Sequence, residues 1–215
     1  MPRPRSLDHA AIAQAALALV DRDDLAALSM RAVAAELGVA TMSLYRYVTG
    51  REEVERLIVD RVFLAANFSV SKTANWERDV TELSEAMRAA IAEHPAVIPL
   101  LLVRFTASPA AWHWLEALLR ALSGAGFDAE QRVTAVRTLQ AYVIGAVQSE
   151  YLNSLTGEST AALASMPSDD FPLIVETARS AMAISPDREF AAGLATVLSG
   201  LRASLRAPLS PPADN

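Results

Sequence analysis

Between Gly38 and Val54 the sequence reads GVATMSLYRYVTGREEV, a run dense in hydrogen-bonding side chains: Thr41, Ser43, Tyr45, Arg46, Tyr47 and Arg51. Its core candidates are Val39, Leu44 and Val48. Donors and small apolar groups on one short helix suit the major groove of DNA. Base edges there offer acceptors, donors and thymine methyls, and the flanking phosphates accept from guanidinium and phenol groups. With Leu44 and Val48 turned inward one helical turn apart, Thr41, Met42, Ser43, Tyr45 and Arg46 fall on the other sides and at the exposed N-terminal end. Tyr47 and Arg51 fall where the chain would leave the groove. Arg51 also opens the next helix, whose free N–H groups favour a phosphate. The alternative is an ordinary solvated helix with exposed tyrosines. The glycine turn ahead of it and the arginine after it favour DNA.

Other chemistries find less support. The absence of cysteine excludes disulfides, zinc-thiolate sites and thiol catalysis. The sequence contains no H-E-x-x-H, G-x-S-x-G, P-loop or G-x-G-x-x-G motif. The GAG at 124–126 falls in a turn between helices rather than after a strand. An enzyme is therefore the least favoured class. A helical small-molecule-binding or interaction protein that reads no DNA is the other alternative. The three histidines are scattered. His94 shares an inward stripe with Met87 and Ile91, as a core histidine bonded to a carbonyl or as a ligand contact. His113, between Trp112 and Trp114, is expected exposed, and His9 at the surface or near a phosphate.

These residues must be positioned by helices. The 215 residues are 52% hydrophobic, ample for a packed core, and the apolar spacing is helical almost throughout. Residues 1–51 carry six arginines against five acids, and residues 52–215 carry 13 basic against 20 acidic side chains. A basic edge on an acidic body fits a small DNA-reading module attached to a larger partner domain. The start, MPRPRSLDH, has no apolar stretch behind its arginines, and no apolar run is long and charge-free enough to span a bilayer. A cytoplasmic protein with no membrane partner is expected.

Asp8 caps a first helix whose inward face is Ile12, Ala16, Leu19 and Val20; Leu25 and Leu28 plug the core beyond it. Ser29 caps a second helix over 30–37 with Val33, Ala34 and Leu37 inward, and Gly38 closes it in a left-handed conformation. A third helix runs over about 41–47, and a fourth over about 51–67, with Glu52 and Glu53 at its positive end. Two short helices around a glycine-led turn form a helix-turn-helix. The polar run SVSKTAN (69–75) marks a domain boundary. Helices follow over about 76–94, up to Phe105, 109–122, 128–155, 171–183 and 187–206. The segment 156–170 reads as a mobile loop and 208–215 as a disordered tail. The expected architecture is all-α: a helix-turn-helix domain (1–50), a connecting helix (51–68) and a larger helical domain (69–207).

The stretch from Leu7 to Ile58 resembles the N-terminal domain of TetR-family transcriptional regulators. Ser29, Arg31, Ala34, Leu37, Gly38, Val39, Leu44, Tyr45, Tyr47 and Arg51 stand at the family's motif positions. Arg51 replaces the commoner lysine and Gly50 the commoner polar cap. The resemblance implies a homodimer on a palindromic operator, with Arg31, Thr41, Met42, Ser43, Tyr45, Arg46, Tyr47 and Arg51 facing DNA. Farther on, GAGF, YVIGAVQSE and FAAGLATVLSGLRASL resemble the C-terminal domain of the tetracycline-repressor subgroup. That likeness implies a helical ligand-binding domain that dimerises by a four-helix bundle. Leu139, Tyr142, Ala146, Gly193, Val197, Gly200 and Leu201 would form the interface. Helix packing within one chain is the alternative for its glycines. Tetracycline repressors use a magnesium-binding histidine in the region that here reads Ile98, Leu100, Leu101 and Leu102. Neither tetracycline nor a metal is expected, and no cofactor. The effector expected is a small apolar or aromatic molecule contacting Met87, Ile91, His94, Leu101, Phe105, Trp112, Gln148 and Tyr151, with Gln140 and Arg104 as further polar candidates. Repression is favoured over activation by family habit.

Overall fold

The computed structural model describes residues 7–66, 68, 75–152 and 157–206. Eleven α-helices and three short 3-10 turns make up these residues, and no strand occurs among them. The protein is all-α. The polar break at 69–74, the end of the fourth helix at Asn67, the last residues expected in the long helix (153–155) and the tail lie outside the described residues.

The helices are α1 (His9–Asp23), α2 (Met30–Glu36), α3 (Thr41–Leu44), α4 (Arg51–Ala65), α5 (Trp76–Ala92), α6 (Ile98–Arg104), α7 (Pro109–Gly124), α8 (Ala129–Tyr151), α9 (Glu158–Ala164), α10 (Pro172–Ala181) and α11 (Pro186–Arg206). They form two compact units. One comprises the described residues of Met1–Val70 with Glu85–Ala117, the other those of Ser71–Ser84 with Leu118–Asn215. Helices α5 and α7 each contribute to both.

In the first unit α1 packs against α2 and α4 through Ile12, Ala16, Leu19 and Val20, all buried. Leu28 is buried as the plug expected of it, whereas Leu25 is only half-buried. Arg22 spans from the end of α1 to Glu36 of α2 at 3.0 Å. Phe63 of α4, Phe105 and Trp114 of α7 form an edge-to-face aromatic core, with centroid distances of 5.5 and 5.9 Å. Asp60 of α4 accepts from the Ser108 hydroxyl and the Ala110 N–H at the start of α7. Arg56 pairs with the other Asp60 oxygen. A carboxylate at a helix N-terminus satisfies donors that the helix itself leaves open.

In the second unit α8 and α11 pack together, as do α9 and α10. Asp128 and Gln131 form a reciprocal capping box at the start of α8, and the Gln131 amide donates to the Ser204 carbonyl of α11 at 3.1 Å. The buried stripe of α8 is Ala135, Val136, Leu139, Val143, Ile144 and Val147. Val133, on the first turns of the same helix, is exposed. The segment expected as a mobile loop holds α9. Its alanines are strong helix formers, and its packing against α10, with Thr160 buried, outweighs the polar flanks that read as loop.

Candidate functional site

Local chemistry sets the helix-turn-helix. Ser29 accepts from the Ala32 N–H at 3.1 Å and starts α2. Gly38 ends it with φ +67°, its N–H bonded to Ala35 and the Val39 N–H bonded back to Ala34. This paired closure is a Schellman motif, and it needs a left-handed residue at the position glycine occupies. The chain then re-enters a helix at Thr41. Leu44 and Val48 are buried, as the spacing predicts, and anchor α3. Met42 is 74% exposed and Tyr45 48%, while Arg31, Arg46 and Arg51 are exposed and Thr41, Ser43 and Tyr47 half-buried. All eight candidate DNA-facing residues therefore reach the surface of this unit. Regular helix is shorter than expected: beyond Leu44 the chain tightens, with the Tyr47 N–H bonded to the Leu44 carbonyl at 2.8 Å.

Two braces were not legible in the sequence. The His9 Nε2 donates to the Tyr47 carbonyl at 2.7 Å, joining the first turn of α1 to the chain between α3 and α4. At the start of α4 one Glu53 oxygen accepts from both the N–H and the hydroxyl of Thr49, at 2.7 and 2.9 Å. The Thr49 N–H bond, then its hydroxyl bond, holds the Glu53 carboxyl below the usual carboxylate range. Arg51, between these two residues in sequence, donates through Nε to Glu55 one turn on, at 2.8 Å. The Arg46 guanidinium lies 5.9 Å from the centre of the Tyr47 ring.

Residues 12–54 match the family described as "Bacterial regulatory proteins, tetR family", and residues 71–205 match "Tetracyclin repressor-like, C-terminal domain". The chain belongs to the TetR family. Among its TetR-family relatives is the HTH-type transcriptional repressor DrrR1 of Streptomyces coeruleorubidus, 33% identical over 151 residues. That alignment takes in 69% of this chain and 55% of the relative, so the chain spans little more than half that protein's length. The tetracycline repressor protein class E of Escherichia coli is 25% identical over 193 residues, 88% of each chain. Among solved structures, the TetR-family protein ActR of Streptomyces coelicolor in complex with (S)-DNPA superposes with a TM-score of 0.81 at 26% identity, over 92% of this chain and 98% of ActR. ActR in complex with actinorhodin does so at 0.80 and 25%, over 93% and 97%.

The residues expected around an effector are distributed unevenly. Met87, Ile91, His94, Leu101, Phe105 and Trp112 belong to the first unit, Gln148 and Tyr151 to the second. Met87, Ile91 and Leu101 are 1% exposed or less, so they are packed core rather than open wall. Phe105 is buried in the aromatic core. Trp112 is 52% exposed with its indole N–H on the Thr106 carbonyl, while Trp114, two residues on, is fully buried. The tryptophan turned inward is thus the other member of the pair, since two helical residues differ by about 200° in direction. Half-buried His94 bonds through Nδ1 to the Asp21 carboxylate at 2.8 Å, a partner at the end of α1 rather than a carbonyl. Arg104 is paired with Glu55 instead of lining a cavity. Gln148 and Tyr151 are exposed on the last turns of α8.

Tyr142, Ala146 and Gly193, three of the expected dimer contacts, come together in a groove of about 520 Å³ between α8 and α11, with Gly145, Ser149 and Phe190. Val197 is half-buried and Gly200 exposed on α11. Leu139 is fully buried within its own chain and Leu201 nearly so. Both serve the α8–α11 core and leave little surface for a second chain, a correction to the expected interface. Among the described residues no single helix is long and apolar enough to cross a membrane. No cluster of three or more His, Asp or Glu side chains among them could hold a metal ion.

Proposed function

We propose that this TetR-family protein is a ligand-responsive transcriptional regulator, a repressor that binds a palindromic operator as a homodimer and releases it when a small organic effector binds. The observation that carries the reading is the arrangement of α3. Leu44 and Val48 anchor it while Met42, Tyr45 and Arg46 stand exposed beside the arginine that opens α4. A helix so presented suits insertion into a major groove, with Thr41, Ser43 and Arg46 at base edges and Tyr47, Arg51 and Arg31 at phosphates. The relative DrrR1 is described as a repressor. ActR, of similar fold, is described in complex with actinorhodin and with (S)-DNPA, which supports a small organic effector here.

Control runs through α4, which opens at the reading head and carries Glu55, Asp60 and Phe63 against the α6–α7 region. An effector that shifts that region would change the separation of two heads in a dimer. The coupling must be reciprocal, typically about 1–3 kcal/mol, so operator weakens effector binding by the same factor. The test has two stages. Wild-type protein selects its duplex from random DNA, and a palindrome with half-sites about 10 base pairs apart, or a multiple, is expected. Organic compounds are then screened by thermal shift with and without chelator, and each hit is titrated with and without the selected duplex. Failure to select any duplex sinks the DNA reading. Hits whose affinity ignores the duplex sink the switch, and hits that require magnesium sink the metal-free effector.

A further inference from the structure

Glu55 is the unusual acid of α4. It lies one turn beyond Arg51, is only 7% exposed, and spends its two oxygens on two arginines from different helices. Oε1 accepts from the Arg51 Nε at 2.8 Å. Oε2 accepts from the Arg104 Nε at 2.9 Å, and the Arg104 Nη2 lies at the same distance as an ion pair. Burying a carboxylate is costly unless it is paired and hydrogen-bonded. One arginine would satisfy that requirement. Two leave the triad with a net positive charge.

That surplus matters for Arg51. Its side chain is 49% exposed, and only its Nε is engaged on Glu55 among the described residues. Both terminal nitrogens remain as donors at the first residue of a 15-residue helix. An arginine paired alone with a carboxylate would present a neutral pair to a DNA phosphate. With Arg104 also on Glu55, the carboxylate still fixes the Arg51 guanidinium but no longer cancels its charge. Arg104 comes within 3.4 Å of Glu52 as well, but that side chain is 82% exposed, and an ion pair with so exposed a carboxylate contributes little.

We propose that Glu55 and Arg104 are positioning residues for DNA binding. Glu55 orients Arg51 toward a backbone phosphate, and Arg104, from the end of α6, offsets the charge of the carboxylate so that the phosphate meets a cation. This rests on the DNA-reading function proposed above. It assigns to an arginine outside the helix-turn-helix a share in the affinity of the reading head.

Binding of the duplex selected by the wild-type protein is measured by fluorescence anisotropy across a salt series, for Arg51→Ala, Arg104→Gln, Arg104→Lys, Glu55→Gln and the Arg51→Ala/Arg104→Gln double variant. Thermal melts are recorded in parallel. Arg104→Gln is expected to weaken binding about tenfold, the scale of one charge-assisted contact, and to lower the salt slope by about one. Added to Arg51→Ala it should do nothing further. Arg104→Lys should keep most of the slope, because lysine retains the charge though not the planar fork. Glu55→Gln should keep the full slope, since its carbonyl still accepts from Arg51 and the negative charge is gone. Additive losses in the double variant, or a lysine variant as weak as the glutamine one, would overturn the proposal and leave a packing brace between α4 and α6. Should Arg104→Gln fail to fold, a slope lowered by one unit in Glu55→Gln overturns it equally. A wild-type protein that selects no duplex sinks the DNA reading itself, a result distinct from any of these.

Discussion

A Cβ built on Gly193 would stand 2.4 Å from the hydroxyl oxygen of Tyr142. That hydroxyl donates to the Phe190 carbonyl at 2.6 Å, and the two rings lie 5.4 Å apart. Tyr142 of α8 thus rests on the bare backbone of α11 within a single chain. The close approach that a glycine permits is used first by the chain's own tyrosine. Gly193→Ala should therefore destabilise the monomer fold by about 1–3 kcal/mol, the range for overpacking a filled site. Denaturant unfolding measures it, and a midpoint equal to wild type would mean the notch can open without cost.

Gly200, seven residues along the same helix, behaves differently. An added Cβ meets nothing within 4 Å, and the residue is exposed. Gly200→Leu should leave far-UV helicity unchanged and shift sedimentation from dimer toward monomer. A variant that stays dimeric at micromolar concentration would place the interface off this face of α11.

Glu53 makes the start of α4 pH-sensitive. Its carboxyl is held below the ordinary range, chiefly by the Thr49 N–H. A depressed folded-state value stabilises the fold above the unfolded glutamate pKa, about 4.3, and that contribution is lost as pH falls through the folded value. Loss of a hydrogen bond of this kind costs about 1 kcal/mol. Glu53→Gln should therefore melt below wild type at pH 7, with the gap closing as pH falls below the ordinary glutamate range. A gap independent of pH would assign the loss to something other than this carboxylate.

Arg46 separates reading from positioning. On the exposed side of the turn after α3, Arg46→Ala should cost about 1–3 kcal/mol at one base pair in each half-site and relax preference there. Selection from random DNA that returns the wild-type motif would remove Arg46 from the reading set.

The caps show what the sequence determined by itself. Asp8 bonded to the Ala11 N–H, Ser29 bonded to that of Ala32 and Gly38 in its left-handed turn are interactions within three or four residues. Local backbone geometry favours them where those residue types fall at helix ends, and helical periodicity likewise places Leu44 and Val48 inward. The helix-turn-helix, the all-α class and the surface presentation of α3 follow from such short-range rules. Tertiary structure alone decided the rest. Glu55 meets Arg104 across 49 residues, His9 meets Tyr47 across 38, and His94 meets Asp21 across 73. Leu139 proved to be core and Trp112 surface because each α-helical stripe can face its own chain or solvent, and periodicity does not say which. Segment 158–164 became a helix because α10 covers it. A long-range partner changes what a side chain is for. Arg104 read as a candidate cavity residue and is instead bound to the carboxylate that holds Arg51.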